Sequence, residues 1–61
     1  MKNGTAPTYD FGADVRRETE WGYLLLLPNG RLLWGPKTLT SRHSDGTFSV
    51  PKWYAEQAGI M

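Results

Sequence analysis

Apolar positions are concentrated in the middle of the chain, where Trp21-Gly22-Tyr23-Leu24-Leu25-Leu26-Leu27 and Leu32-Leu33-Trp34-Gly35 flank Pro28-Asn29-Gly30-Arg31. Two such runs folded back at a turn predict a β-hairpin. Pro28 has no N–H with which to close a two-residue turn. Its fixed φ suits the second position of a type I turn, which leaves Gly30 for the left-handed bulge position. That turn pairs Leu27 with Arg31, Leu25 with Leu33 and Tyr23 with Gly35 on one face. Leu26 with Leu32 and Leu24 with Trp34 take the other, and a slip of one residue exchanges the two faces. Both faces are apolar, so the hairpin is either covered twice or offers one face to a partner.

The flanking segments read less strongly. Residues 1–9 show no periodicity and predict a flexible tail, with a single small domain over 10–61. From Asp10 to Glu20 two patterns compete. Phe11 and Val15 stand four apart, the spacing of a short helix, although Gly12 weakens it. Alternation through Thr19, Trp21 and Tyr23 instead starts the first hairpin strand near Glu18. A short helical or irregular Phe11–Arg17 leading into that strand is favoured. Lys37–Ser41 is β-permissive but weakly apolar, and Ser44-Asp45-Gly46 marks a corner. Thr47-Phe48-Ser49-Val50 alternates as a strand with Phe48 and Val50 inward, its hydroxyl-bearing outer side suiting a sheet edge. Pro51–Ala58 predicts a helix, with Ser49 to cap its start and Trp53 to anchor it on the sheet. Gly59 ends it in a Schellman turn that folds Ile60 back on Ala55. The fold class expected is a small α+β domain: an antiparallel sheet of about three strands built on the hairpin, plus a short C-terminal helix.

Sixty-one residues without cysteine allow neither disulfides nor a thiolate metal site, so three Trp, three Tyr and two Phe must build the core. A chain of this size buries only about 60% of its unfolded surface. Tyr23, Phe48 and Trp53 are assigned to the core, whereas Trp21, Trp34 and Tyr54 exceed what one short helix can cover. Seven basic and six acidic residues are too balanced for broad attraction to nucleic acid. The first residues lack the apolar core of a signal peptide, and Leu24–Leu27 is too short to span a bilayer, so a cytoplasmic location is expected.

Ser41, His43 and Asp45 are triad residue types crowded on one loop, where the imidazole cannot bridge the other two, and they read as a polar loop. His43 has no companion metal ligand, and the glycines never form a phosphate-binding run. No cofactor, metal or catalytic residue is expected, and the chain is read as a binding protein rather than an enzyme. The candidate partner-binding residues are Phe11, Val15, Arg16, Arg17, Trp21, Arg31, Trp34 and Tyr54, chosen for aromatic surplus and charge. Two rivals stand beside this. Arg31, Lys37, Arg42 and Lys52 beside Trp34 and Trp53 would suit a small RNA or single-stranded DNA binder, and the apolar hairpin would suit a self-associating structural protein.

The run from Tyr9 to Trp21, Tyr-Asp-Phe-Gly-Ala-Asp-Val-Arg-Arg-Glu-Thr-Glu-Trp, followed by Leu24–Gly30, resembles the small transcription regulators of Xanthomonas-infecting lytic phages. The likeness extends over the whole chain and rests on no short motif, so no site residue is carried over from it. It implies a protein of the host bacterial cytoplasm that binds host RNA polymerase at the β′ amino terminus and the β flap; a monomer is expected. It further implies interference with σ engagement, and antitermination together with an elongation factor of the NusA type.

Overall fold

The computed structural model describes residues 7–61, and positions 1–6 of the expected tail lie outside the described residues. Six strands precede one helix: β1 (Thr8–Gly12), β2 (Asp14–Glu18), β3 (Gly22–Leu26), β4 (Leu32–Pro36), β5 (Ser41–Arg42), β6 (Thr47–Pro51) and α1 (Lys52–Ala58). They form two three-stranded antiparallel sheets, in the orders β1-β6-β5 and β2-β3-β4. The expected single sheet is therefore two.

Of the three extra strands, β5 lies at the end of the stretch read as β-permissive, and β1 and β2 run through the segment read as helical. Tyr9, Phe11, Ala13 and Val15 are half-buried, while Thr8, Asp10, Gly12, Asp14 and Arg16 between them are exposed. This is strand periodicity, carried without a break through the single residue Ala13 that separates β1 from β2. The helical spacing of Phe11 and Val15 is two steps of that alternation. Thr8 and Tyr9, placed in the tail by sequence, pair with Pro51 and Val50 instead.

The hairpin forms in the expected register, with Tyr23 opposite Gly35, Leu24 opposite Trp34, Leu25 opposite Leu33 and Leu26 opposite Leu32. Its turn is closed by Gly30 N–H donating to the Leu27 carbonyl at 2.9 Å, and Gly30 has φ +88°. That positive φ is open to glycine at little cost and is the reason the turn ends there. Gly22 is required for a different reason. A Cβ at this position would lie 2.6 Å from the Gly35 carbonyl oxygen and 2.7 Å from the Trp34 ring.

The inner faces of the two sheets meet in one core of Leu25, Leu27, Leu33 and Phe48, with Phe11, Val15, Tyr23 and Tyr54 packed around it. Phe48 stacks on Phe11 of its own sheet at 6.1 Å and meets Tyr23 of the other sheet in a tilted contact at 5.8 Å. β6 has Phe48 and Val50 buried as expected, but it is the central strand of its sheet rather than an edge.

α1 ends as its sequence predicts. Gly59 adopts φ +75°, its N–H donates to the Glu56 carbonyl, and Ile60 N–H donates to the Ala55 carbonyl at 3.1 Å. The start differs: Pro51 occupies the N-cap without a side-chain bond, and Ser49, two residues earlier, gives its hydroxyl to Asp10 instead. Tyr54, Ala55 and Ala58 form the inward side of the helix. Trp53, one position off that side, is 53% exposed and packs edge-on against Tyr54 at 5.8 Å instead of entering the core.

Candidate binding surface

Strand alternation turns Leu25 and Leu33 into the core and leaves Leu24, Leu26, Leu32 and Trp34 on the opposite side of β2-β3-β4. No other element among the described residues packs broadly on this sheet: Leu32 is 58% exposed and Trp34 40% exposed, while Leu24 and Leu26 are half-buried. β2 continues the surface, since Arg17 stands opposite Leu24 and Asp14 opposite Leu26. The β2 register shifts between Val15 and Arg17, so Arg16 is the extra, bulged residue. Together Arg16, Arg17, Leu24, Leu26, Gly30 and Leu32 line a shallow trough of about 520 Å³. The result is an apolar strip bordered on one side by two guanidinium groups.

The eight candidate partner-binding residues divide. Arg16, Arg17 and Trp34 share this outer face, and Trp21, 72% exposed, sits in the β2–β3 turn. Phe11 and Val15 instead belong to the core margin. Tyr54 is half-buried, and its hydroxyl donates to the Trp34 carbonyl. Burial raises its pKa above the ordinary 10.0. Arg31 is committed to the helix terminus, donating from one guanidinium nitrogen to the Gly59 carbonyl at 2.9 Å and from the other to the Ala58 carbonyl at 3.1 Å. It supplies the positive charge that the last turn of α1 lacks. Leu24, Leu26 and Leu32 were not among the candidates, although the hairpin register already put them on one face with Trp34.

Several cations assigned to a nucleic-acid surface are engaged elsewhere. Lys37 Nζ bonds Glu18 at 2.8 Å, and the Arg42 guanidinium lies 3.6 Å from the other oxygen of the same carboxylate. The Lys37 hydrogen bond holds Glu18 below the usual carboxylate range, and Glu18 in turn raises Lys37. Both cations also approach the Tyr23 ring, at 5.3 and 5.9 Å.

On the outer face of β1-β6-β5, Ser49 Oγ donates to Asp10 at 2.6 Å and lies 2.7 Å from His43 Nε2. Because the hydroxyl proton is used on Asp10, Ser49 accepts from the imidazole. Serine therefore stands between acid and imidazole, the reverse of the order that activates a nucleophile. Ser41 has no part in this chain of bonds. The Asp45 carboxylate accepts from the Thr47 hydroxyl and N–H, which lower its pKa. No cluster of three His, Cys, Asp or Glu suited to a metal ion occurs among the described residues, and no helix there is long and apolar enough to cross a membrane.

No family model, curated protein or solved structure matches this chain.

Proposed function

We propose that this protein is a non-catalytic binding module that acts by occupying a surface of a larger protein, with the outer face of β2-β3-β4 as its contact surface. The observation that carries this reading is the uncovered apolar strip of Leu24, Leu26, Leu32 and Trp34 in a chain with little apolar area to spare. A flat sheet face of Leu and Trp bordered by arginines has the composition of an interface centre and its rim. The sequence resemblance supplies the partner: host bacterial RNA polymerase, bound so that σ engagement is disfavoured and terminators are read through. Occupancy suffices for such an effect wherever two footprints overlap.

The test is titration of the labelled protein with core RNA polymerase, comparing the natural chain with Leu32→Ser and Trp34→Ala. Both variants should keep the native circular dichroism spectrum, and each should weaken binding by about tenfold or more, as loss of a central apolar anchor does. Unchanged affinity in both folded variants would overturn the assignment of this face. A salt-matched RNA oligomer run in parallel separates the nucleic-acid rival: binding to RNA alone, falling steeply with salt, would replace the protein-partner reading.

A further inference from the structure

A second surface lies around the edge of β2 from the apolar strip, where the two sheets part. β2 and β5 are edge strands of different sheets, and between β2 and the β5–β6 turn runs an open groove of about 790 Å³. Val15 and Phe48 form its apolar part, and Arg16, Arg42 and His43 its charged and polar walls.

The register shows what the main chain offers there. Leu27 N–H donates to the Arg31 carbonyl at 2.8 Å, which makes Leu25–Leu33 the next hydrogen-bonded pair of the β3–β4 ladder. Leu24 and Leu26 thus turn their N–H and C=O groups toward β2, and Val15, opposite Leu25, turns its own away from the sheet. By the same parity, His43 N–H donates to the Thr47 carbonyl at 2.9 Å, so Arg42 directs its main chain away from β6. The groove is flanked by two strand edges whose outward groups are those of Val15 and Arg42. The Arg16 bulge interrupts the β2 edge, which limits pairing there to a short segment and opposes edge-to-edge stacking of whole sheets.

Charge selects the occupant. Arg16 has no ion pair among the described residues, and Arg42 meets Glu18 only at 3.6 Å while Glu18 is already bonded by Lys37. Asp14 is the carboxylate in the lining, and nearby Asp45 is occupied by Thr47. Phe48, the one aromatic of the lining, is buried, so the groove has no platform on which a nucleobase would stack. We infer that this groove is a second binding site, taking a short extended acidic peptide segment of a protein partner. The segment adds main-chain bonds at Val15 and Arg42 and places its carboxylates against Arg16 and Arg42. The inference rests on the reading of the chain as a protein-binding module. Arg16 also borders the outer face, so Arg42 is the cation that lines the groove and not the outer trough.

The experiment is an amide chemical-shift titration of the full chain with three probes: a blocked hexapeptide alternating glutamate and valine, its lysine counterpart, and an RNA hexamer. The glutamate peptide should shift residues 13–16 and 42–46, and Arg42→Glu and Arg16→Glu should each weaken that binding by about tenfold, the value of a charged hydrogen bond. Equal shifts from the lysine peptide, stronger binding of the RNA, or no perturbation in this groove would overturn the proposal. Leu32→Ser separates the two surfaces. It leaves the peptide titration unchanged, so a failure of the outer-face reading would show with polymerase while the groove still responded to peptide.

Discussion

Thr40 shows how a single side chain limits this small core. Its Oγ1 is buried with no hydrogen-bond partner among the described residues, and a Cβ on Gly35 would come within 2.8 Å of it. An unpaired buried hydroxyl forfeits its bond to water without replacement. Thr40→Val keeps the shape of the side chain and removes that polar atom. The variant should be more stable by about 1 kcal/mol in urea unfolding; equal or lower stability would mean that the hydroxyl finds a partner in solution. At the same scale, the paired cationic and carboxylate groups on the surface count for little. The Glu18–Lys37 bridge is solvent-exposed, and it matters more for withdrawing a cation from the surface than for holding the fold.

Among the elements, α1 depends on a residue far from it in sequence. Seven residues are too few for an isolated helix, and its last turn carries no basic side chain. Arg31, from the hairpin turn, supplies one by bonding the Ala58 and Gly59 carbonyls. Arg31→Ala should cost about 1 kcal/mol and speed amide exchange in α1 more than in β3 and β4; uniform exchange across these elements would argue against the cap. The hairpin and the end of the helix were legible in sequence because local chemistry sets both: Pro28 with Gly30 fixes a turn, and Gly59 fixes a helix stop. β1 and β2 were not read, because Phe11 and Val15 satisfy a helical and an alternating pattern equally over so short a stretch. Adding Tyr9 and Ala13 to the series decides it. Arg31 looked like an interface residue because its carbonyl partners lie almost half the chain away, and no local pattern reports that. The outer apolar face was readable from the register, whereas the groove was not, since it exists only through the placement of two sheets.

For the molecule as a whole, the pH range of stability follows from a few groups. Tyr54 has its pKa raised above 10.0 by burial, so the folded chain holds this proton more tightly than the unfolded one. The associated stability is fully present below 10.0 and is lost as pH rises through the folded value. Lys37, raised above 10.5, acts in the same direction but weakly because it is exposed. Glu18 and Asp45, lowered, withdraw small contributions as pH falls through their folded values. Urea midpoints should therefore drop between neutral pH and about pH 11, and Tyr54→Phe, though weaker at neutral pH for want of its bond to Trp34, should show a flatter alkaline decline. An equally steep decline in that variant would assign the loss to another group. The strand pair around Ala13 carries a further consequence for the whole chain. Because inward positions run 9, 11, 13 and 15 straight through the corner, the chain counts in twos from one sheet to the other. One residue added at the corner would turn Val15 outward and Arg16 inward, emptying the core of one and burying the charge of the other. Two residues would lengthen the corner and leave every side chain facing as before. The length of this joint is thus fixed in parity rather than in number, and chains built on the same plan would differ there by even steps.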